Sequence, residues 1–225
     1  MASNEFKIKV NDADSVTAIL YAAKANRTSV TIILGHGAGA DQMSAFMRMA
    51  AEGLAARGLD VVTFNFLYKE QRRNVPDPKA RLESCYRAVI DAVVKHRKLK
   101  GNKLIIGGKS MGGRIASQVA ATHPDRIDGL VFLGYPLHPP GRPDKLRDAH
   151  LAEIKAPMLF VQGSRDAFGN EQEIRDIIRK LRLPATLYAI EGADHSLKVP
   201  KSKGLNQQDI YAAAIERIDQ WARTI

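Results

Sequence analysis

A serine at the tip of a predicted strand-to-helix turn is the first residue in this sequence that could carry out chemistry. Ser110 lies at the centre of a G-x-S-x-G pattern at positions 108–112, after the apolar run at 103–106 and before a predicted helix. Glycines two residues away on either side leave room for a strained backbone, and the start of the helix favours negative charge that develops beside the hydroxyl. In this context the pattern predicts a nucleophile elbow, in which Ser110 attacks a carbonyl carbon. The alternative is an ordinary turn of an α/β protein, in which the serine caps the helix.

A serine nucleophile needs a histidine to take its proton and a carboxylate to orient that histidine, and the sequence offers both. Asp166 follows the predicted strand at 158–161, and His195 follows the one at 185–190. Ligands bind at the edge where the parallel strands of such a sheet end, so these loops should meet Ser110 there. We therefore predict a triad of Ser110, Asp166 and His195, in that order along the chain.

Each of the two partners has an alternative interpretation. Asp166 could be a turn or helix-capping residue, and His195 could be an ordinary loop histidine. Asp194 is a competing acid, but we rank it behind Asp166 because the side chains of adjacent residues rarely meet. The other histidines lie on predicted helices or in different loops, and His36 and His138 are expected near the site. The remaining three are His96, His123 and His150.

The site should also contain N–H donors for the negative oxygen of a tetrahedral intermediate. The backbone N–H of Met111, directly after the serine, is the first candidate. The small-residue loop at 35–40 should supply the second donor from Ala38, with Gly37 as the next choice. This loop also fits a loose dinucleotide-binding pattern, but the next predicted strand, at 60–66, does not end in the acid that would bind a ribose. We expect no cofactor and no metal.

Apolar periodicity predicts one α/β domain over residues 1–225. The chain is 45% hydrophobic and 26% charged, which are ordinary values for a globular protein. Strands that alternate with helices imply right-handed crossovers and a mainly parallel, doubly wound sheet, and turn residues after the first strand predict an antiparallel hairpin at one edge. The predicted strands cover 5–10, 15–22, 29–34, 60–66, 103–106, 129–133, 158–161 and 185–190, and the predicted helices include 41–57, one containing Leu82 to Val93, 170–181 and one containing Ile210 to Trp221.

A net charge of +10 raises the possibility of nucleic-acid binding. Basic clusters occur at 69–73, 95–100 and 198–203. They lie at element ends and in loops, and they lack the interleaved aromatic residues that stack on bases. We interpret them as solvated surface and expect no nucleic-acid partner, while attraction to acidic substrates or partners stays open.

Cysteine content and hydropathy favour a cytoplasmic location. One cysteine, Cys85, excludes an intrachain disulfide and fits a reducing compartment, where it would be buried filler on a helix. The first residues do not resemble a signal peptide, and no apolar run approaches the roughly 20 residues that cross a bilayer. We expect no membrane span.

These motifs resemble the α/β-hydrolase superfamily from end to end. The resemblance depends on G-H-G-A-G at 35–39, the Ser110 elbow, Asp166, and G-A-D-H-S at 192–196. It implies the superfamily fold and a Ser110–Asp166–His195 triad, but no particular substrate.

Three further stretches are similar to a small lidless branch, the KANL/Tex-type hydrolase-like family. That family shares its domain with a subunit of an animal chromatin-acetylating complex and with dienelactone-hydrolase-type enzymes. Dienelactone hydrolases have a cysteine nucleophile, whereas position 110 is serine here, which weakens the case for that activity. The stretches are F-N-F-x-Y at 64–68, R-R-x-x-P-D at 72–77 and G-Y-P-L-H-P-P-G-x-P-D at 134–144.

The segment between the predicted strands at 129–133 and 158–161 leaves little room for a cap. An open cleft would suit small, soluble or partly exposed acyl groups. Gly37, Tyr68 and His138 are candidates to contact the substrate, although the last two could equally serve loop packing or contact solvent.

Our leading hypothesis is a serine hydrolase of the carboxylesterase or thioesterase type. It would cleave an ester, thioester or related acyl bond of a small-molecule substrate through an acyl-enzyme intermediate. The alternative is a non-catalytic scaffold that uses the hydrolase shape to bind a protein partner, because fold alone does not dictate function.

Overall fold

The described residues form a sheet of eight strands, and the chain enters it at one edge. The computed structural model describes residues 4–200, 202 and 204–225. The strand order is β1-β2-β4-β3-β5-β6-β7-β8. β1 and β2 form the predicted antiparallel hairpin, β2 also pairs antiparallel with β4, and all other pairs are parallel. The prediction of a mainly parallel α/β sheet with an antiparallel edge hairpin is confirmed.

Helices and strands alternate along most of the chain. The strands are β1 (Asn4–Lys9), β2 (Ser15–Tyr21), β3 (Val30–Gly35), β4 (Asp60–Phe64), β5 (Lys103–Lys109), β6 (Gly129–Leu133), β7 (Met158–Gly163) and β8 (Ala185–Ile190). The helices are α1 (Ala45–Ala56), α2 (Leu67–Glu70), α3 (Lys79–Lys95), α4 (Met111–Thr122), α5 (Glu171–Leu181) and α6 (Gln207–Ala222), and a 3₁₀ turn lies at Leu151–Glu153.

Two apolar layers cover the sheet, so its central strands are buried on both faces. Every residue of β3 is buried, as its continuous β-branched sequence predicts. Successive residues of β5 face opposite layers: Ile106 belongs to the apolar cluster that includes α3, α4 and α5, and Ile105 to the cluster that includes α1 and α6. This two-sided burial fixes the register of β5 and thereby the height at which Ser110 leaves the sheet.

The helix expected to begin at residue 41 begins at Ala45 instead. Asp41 makes a turn, in which its carboxylate accepts from the Met43 N–H at 2.9 Å. Gln42 is buried, and its amide donates to the Thr17 carbonyl at 3.1 Å and accepts from the Thr63 hydroxyl at 3.2 Å. These contacts to β2 and β4 hold the backbone out of the helix, and their partners are too distant in sequence for periodicity to reveal them.

The strand expected to end at residue 66 ends at Phe64. The Phe66 N–H donates to the ring of His36 at 3.2 Å rather than to a neighbouring strand, so the chain leaves the sheet. The segment around Tyr68, which lies outside the predicted strands and helices, forms the short helix α2, in which Leu67 and Tyr68 are buried.

The predicted absence of a large cap is confirmed. Between β6 and β7 the chain forms only loops and the 3₁₀ turn at Leu151–Glu153. In the described residues, no helix is both long enough and apolar enough to span a bilayer. Lys201 and Lys203 of the third basic cluster lie outside the described residues.

Candidate active site

Ser110 occupies a sharp turn between β5 and α4. Its backbone has φ 51° and ψ −113°, a positive φ that an L-residue adopts only under strain. The flanking glycines permit the turn because a Cβ at Gly108 or at Gly112 would come within 2.1 Å of the Gly35 carbonyl oxygen. Both glycines are therefore required by the close approach of this turn to the end of β3.

Ser110, His195 and Asp166 form a continuous chain of hydrogen bonds. The Ser110 Oγ lies 2.8 Å from His195 Nε2, and His195 Nδ1 lies 2.8 Å from Asp166 Oδ2. A carboxylate can only accept, so Nδ1 carries the proton and Nε2 is free to accept from the serine hydroxyl. The arrangement can therefore move a proton from the hydroxyl to the imidazole and stabilise the imidazolium that results.

The carboxylate of Asp166 is buried and fully hydrogen-bonded. Besides His195, it accepts from the Phe168 N–H at 2.8 Å and from the side-chain amide of Gln162 at 2.9 Å. Three donors compensate for the loss of water around the charge. The competing acid, Asp194, is exposed and accepts instead from the N–H groups of two residues in its own loop, Ser196 and Lys198.

Gln162, near the end of β7, joins the loop that contains Tyr135 to the loop that contains Asp166 and Gly169. Its side chain accepts from the Tyr135 N–H at 2.7 Å, and its amide also donates to the carbonyls of Tyr135 and Gly169 at 3.2 and 2.6 Å. The loop that follows β6 is thus joined to the Asp166 loop. The ring of Phe168 stacks on the His195 imidazole, with centroids 4.1 Å apart. Sequence analysis missed both residues, because no motif marks them and their side-chain contacts with Asp166 and His195 are visible only in the folded chain.

The backbone of the loop at 35–40 is held from both sides of Ala38. His36 is buried; its Nε2 accepts from the Phe66 N–H, so its Nδ1 donates to the Gly37 carbonyl at 2.8 Å. Burial lowers the pKa of His36 to about 4, which keeps the ring neutral at pH 7. The hydroxyl of Tyr68 donates to the Ala38 carbonyl at 2.8 Å.

These hydrogen bonds to the carbonyls of Gly37 and Ala38 set the direction of the Ala38 N–H. In a trans peptide the N–H points away from the preceding carbonyl, and the carbonyl of Gly37 faces His36 and the Ala40 N–H. Gly37 borders the serine: a Cβ placed there would lie 3.8 Å from the Ser110 Cβ. Within the described residues, neither the Ala38 nor the Met111 N–H donates to another group. Both amides remain available to a ligand beside Ser110.

Tyr68 and His138, two of the candidate substrate contacts, are buried rather than on an open surface. Tyr68 packs edge-on against His36 beneath the loop that contains Ala38. The ring of His138 contacts the Pro139 carbonyl and Glu173 at 2.9 and 3.0 Å, and the backbone N–H of His138 donates to the Phe168 carbonyl at 3.0 Å. Of the three candidates, Gly37 alone lies directly beside the serine.

Comparison with known proteins assigns the family. The model of the α/β-hydrolase domain family matches residues 28–223. The chain therefore belongs to the α/β-hydrolase family.

Relatives and solved structures agree with this assignment. A protein of Aquifex aeolicus named "Putative carboxymethylenebutenolidase" is 27% identical over 145 residues, which are 59% of this chain and only 57% of that relative. A dienelactone hydrolase from Anabaena variabilis superposes with a TM-score of 0.76 at 22% identity, covering 98% of this chain and 97% of that one. XC6422 from Xanthomonas campestris, described as a serine hydrolase without a lid, gives 0.75 at 20% identity, with 97% and 94% covered. At these identities the solved structures establish the fold.

Proposed function

We propose that the protein is a serine hydrolase that cleaves an ester, thioester or related acyl bond. The observation that carries the proposal is the hydrogen-bond chain from Ser110 Oγ through His195 to Asp166, with both links at 2.8 Å. These distances lie within the range in which a proton passes between positioned groups. The names of a relative and of a structural neighbour, a carboxymethylenebutenolidase and a dienelactone hydrolase, are in keeping with ester cleavage.

In the first half of the proposed reaction, Ser110 Oγ bonds to the substrate carbonyl carbon while its proton passes to His195 Nε2. The carbonyl π electrons move to the oxygen, and the N–H groups of Met111 and Ala38 donate to this oxyanion. Each such donor typically contributes about 3 kcal/mol to transition-state stabilisation. The bond to the leaving group then breaks, and His195 returns the proton to the leaving oxygen or sulfur.

In the second half, His195 takes a proton from water, and the resulting nucleophile attacks the acyl-Ser110 ester. The tetrahedral intermediate collapses to release the carboxylic acid, and the proton returns to Ser110 Oγ. Asp166 remains ionised throughout and holds the imidazole in the required tautomer. His195 relays both protons of this cycle, the first from Ser110 to the leaving group and the second from water back to Ser110.

The proposed substrates are small or partly exposed acyl compounds, because the segment between β6 and β7 forms no large cap. Gly37 is the residue we expect to border the acyl group, while Tyr68 and His138 act from below by supporting the two loops. We also propose a cytoplasmic location, which fits one buried, unpaired cysteine at position 85.

Labelling with a fluorophosphonate probe tests the proposal directly. We expect mass spectrometry to find the adduct on Ser110, and hydrolysis of short p-nitrophenyl esters to fall at least about 10⁴-fold in Ser110→Ala. Ser196→Ala is the matched control, because it removes an exposed hydroxyl one residue after His195. A folded wild-type protein that neither labels nor hydrolyses the panel would overturn the proposal and favour a scaffold that binds a protein partner.

A further inference from the structure

The residue before the nucleophile is a lysine that lies inside the site. Lys109 is the last residue of β5, on the face of the sheet that Ile105 shares with α1 and α6. Its Nζ donates to the backbone carbonyl of His195 at 2.5 Å. Its stem runs beside the loop of Ala38, since a Cβ at Gly37 would lie 3.8 Å from Lys109 Cγ.

Lys109 and the imidazole of His195 meet at Gly134, the first residue after β6. A Cβ built on Gly134 would come within 2.9 Å of Lys109 Nζ and 3.5 Å of His195 Nδ1. The ammonium group therefore lies close to the reacting imidazole as well as to its backbone. Because Gly134 has no side chain, it leaves the space in which these two groups approach each other.

We propose that Lys109 is a positioning residue for His195: its ammonium group holds the backbone of the histidine loop, and its charge makes this contact depend on pH. The inference rests on the proposed function, because it assigns Lys109 a part in positioning the general base. A charge-assisted hydrogen bond to a carbonyl is roughly twice as strong as a neutral one, so the protonated lysine should hold the loop most firmly.

The surroundings of Lys109 place its titration in an accessible pH range. Burial lowers its pKa to about 8, against the opposing attraction of Asp166 and Asp194. The charged or titratable groups around it are these two carboxylates, from the loops after β7 and β8, and the His195 imidazole. The residues of the loops after β3 and β6 that lie beside Lys109 are Gly37 and Gly134, which carry no charged side chain.

The first test is a variant that keeps the length of the stem but removes the donor. In Lys109→Met we expect kcat to fall about 10- to 100-fold with little change in KM, as for a small misplacement of a catalytic group. The matched control is Lys103→Met, which removes a lysine at the opposite end of β5 that also donates to a main-chain oxygen, that of Ile225. Wild-type kcat in a folded Lys109→Met would overturn the proposal.

The second test is the pH profile of kcat. The wild-type rate, corrected for spontaneous hydrolysis, should fall on the alkaline side with a midpoint near pH 8, whereas Lys109→Arg, which stays charged, should lose this fall. A wild-type rate that stays level from pH 7 to about 9.5 would overturn the proposal, even if Lys109→Met did not fold.

A readout that does not depend on activity separates this inference from the proposed function. In protein carrying ¹³Cε-labelled lysine, the signal that disappears in Lys109→Arg should titrate near pH 8. A midpoint near the ordinary lysine value of 10.5 would overturn the inference. If the wild-type protein failed to label with the fluorophosphonate but Lys109 titrated near pH 8, the contact would stand and the proposed reaction would fail.

Discussion

The two sides of Ser110 are held in place by different kinds of interaction. On the side of Asp166 and His195, polar side chains bond to one another, with Asp166 as the common partner of His195 and Gln162. On the side of Ala38, the backbone is positioned by close contact between glycines and by two side chains that bond to its carbonyls. The first side should therefore be sensitive to a change of charge or tautomer, and the second to added volume.

The largest expected effect is on the charged side. Asp166→Asn should reduce kcat about 10⁴-fold, because the amide favours the wrong tautomer of His195. Asp194→Asn retains the oxygen that accepts from Ser196 and Lys198 and should change kcat only slightly. Steady-state hydrolysis of a p-nitrophenyl ester measures both. Equal losses in the two variants would show that His195 does not depend on Asp166 in particular.

On the side of Ala38, where the backbone is positioned by close contact between glycines, an added side chain should reduce the stability of the fold. In Gly112→Ala the new Cβ would meet the Gly35 carbonyl oxygen at 2.1 Å, so we expect the free energy of unfolding to drop by about 3 kcal/mol or more. Gly39→Ala is the matched control: a Cβ there meets nothing within 4 Å, and the free energy should stay within about 0.5 kcal/mol of wild type. Urea denaturation measures both. A Gly112→Ala protein as stable as the control would contradict the close approach of α4 to β3.

A smaller effect, on the side of Ala38, is the dependence of the free energy of unfolding on pH. The pKa of His36 is lowered from 6.5 to about 4 by burial, so the unfolded chain binds the proton first as the pH falls. The stabilisation from the neutral ring is complete above pH 6.5 and is lost progressively towards pH 4. The free energy of unfolding should therefore decline over this range, and decline less in His36→Gln.

The exposed His123 gives the control, since His123→Gln should leave the pH slope unchanged. Part of the slope should also survive in His36→Gln, because burial lowers the pKa of His150 to about 4 as well. A wild-type protein with constant stability between pH 6.5 and 4 would contradict the neutral, buried state of His36.

The sequence could predict the features that depend on local patterns, but not the contacts between distant segments. The elbow was predictable because a tight turn imposes its glycines at fixed spacing around Ser110, and the sheet because β-branched runs and helical stripes are local patterns. The order of Ser110, Asp166 and His195 at strand ends was sufficient to propose that they meet. Gln162 and the side chain of Lys109 escaped prediction, because Tyr135 and His195 lie in loops that follow other strands and become their neighbours only in the folded chain.

The smallest effect isolates one hydrogen bond on the backbone-held side. Tyr68→Phe keeps the buried ring but removes the donor to the Ala38 carbonyl, so we expect a loss of about 1 kcal/mol in the free energy of unfolding and a several-fold fall in kcat/KM. Leu67→Met is the control, a volume-conserving change at the neighbouring buried position of α2. If Tyr68→Phe lost stability but kept full activity, the His36 contact with Gly37 would be sufficient to direct the Ala38 N–H. If it lost activity without stability, the hydroxyl would act mainly by fixing the direction of that amide, which is the role the geometry of the loop indicates.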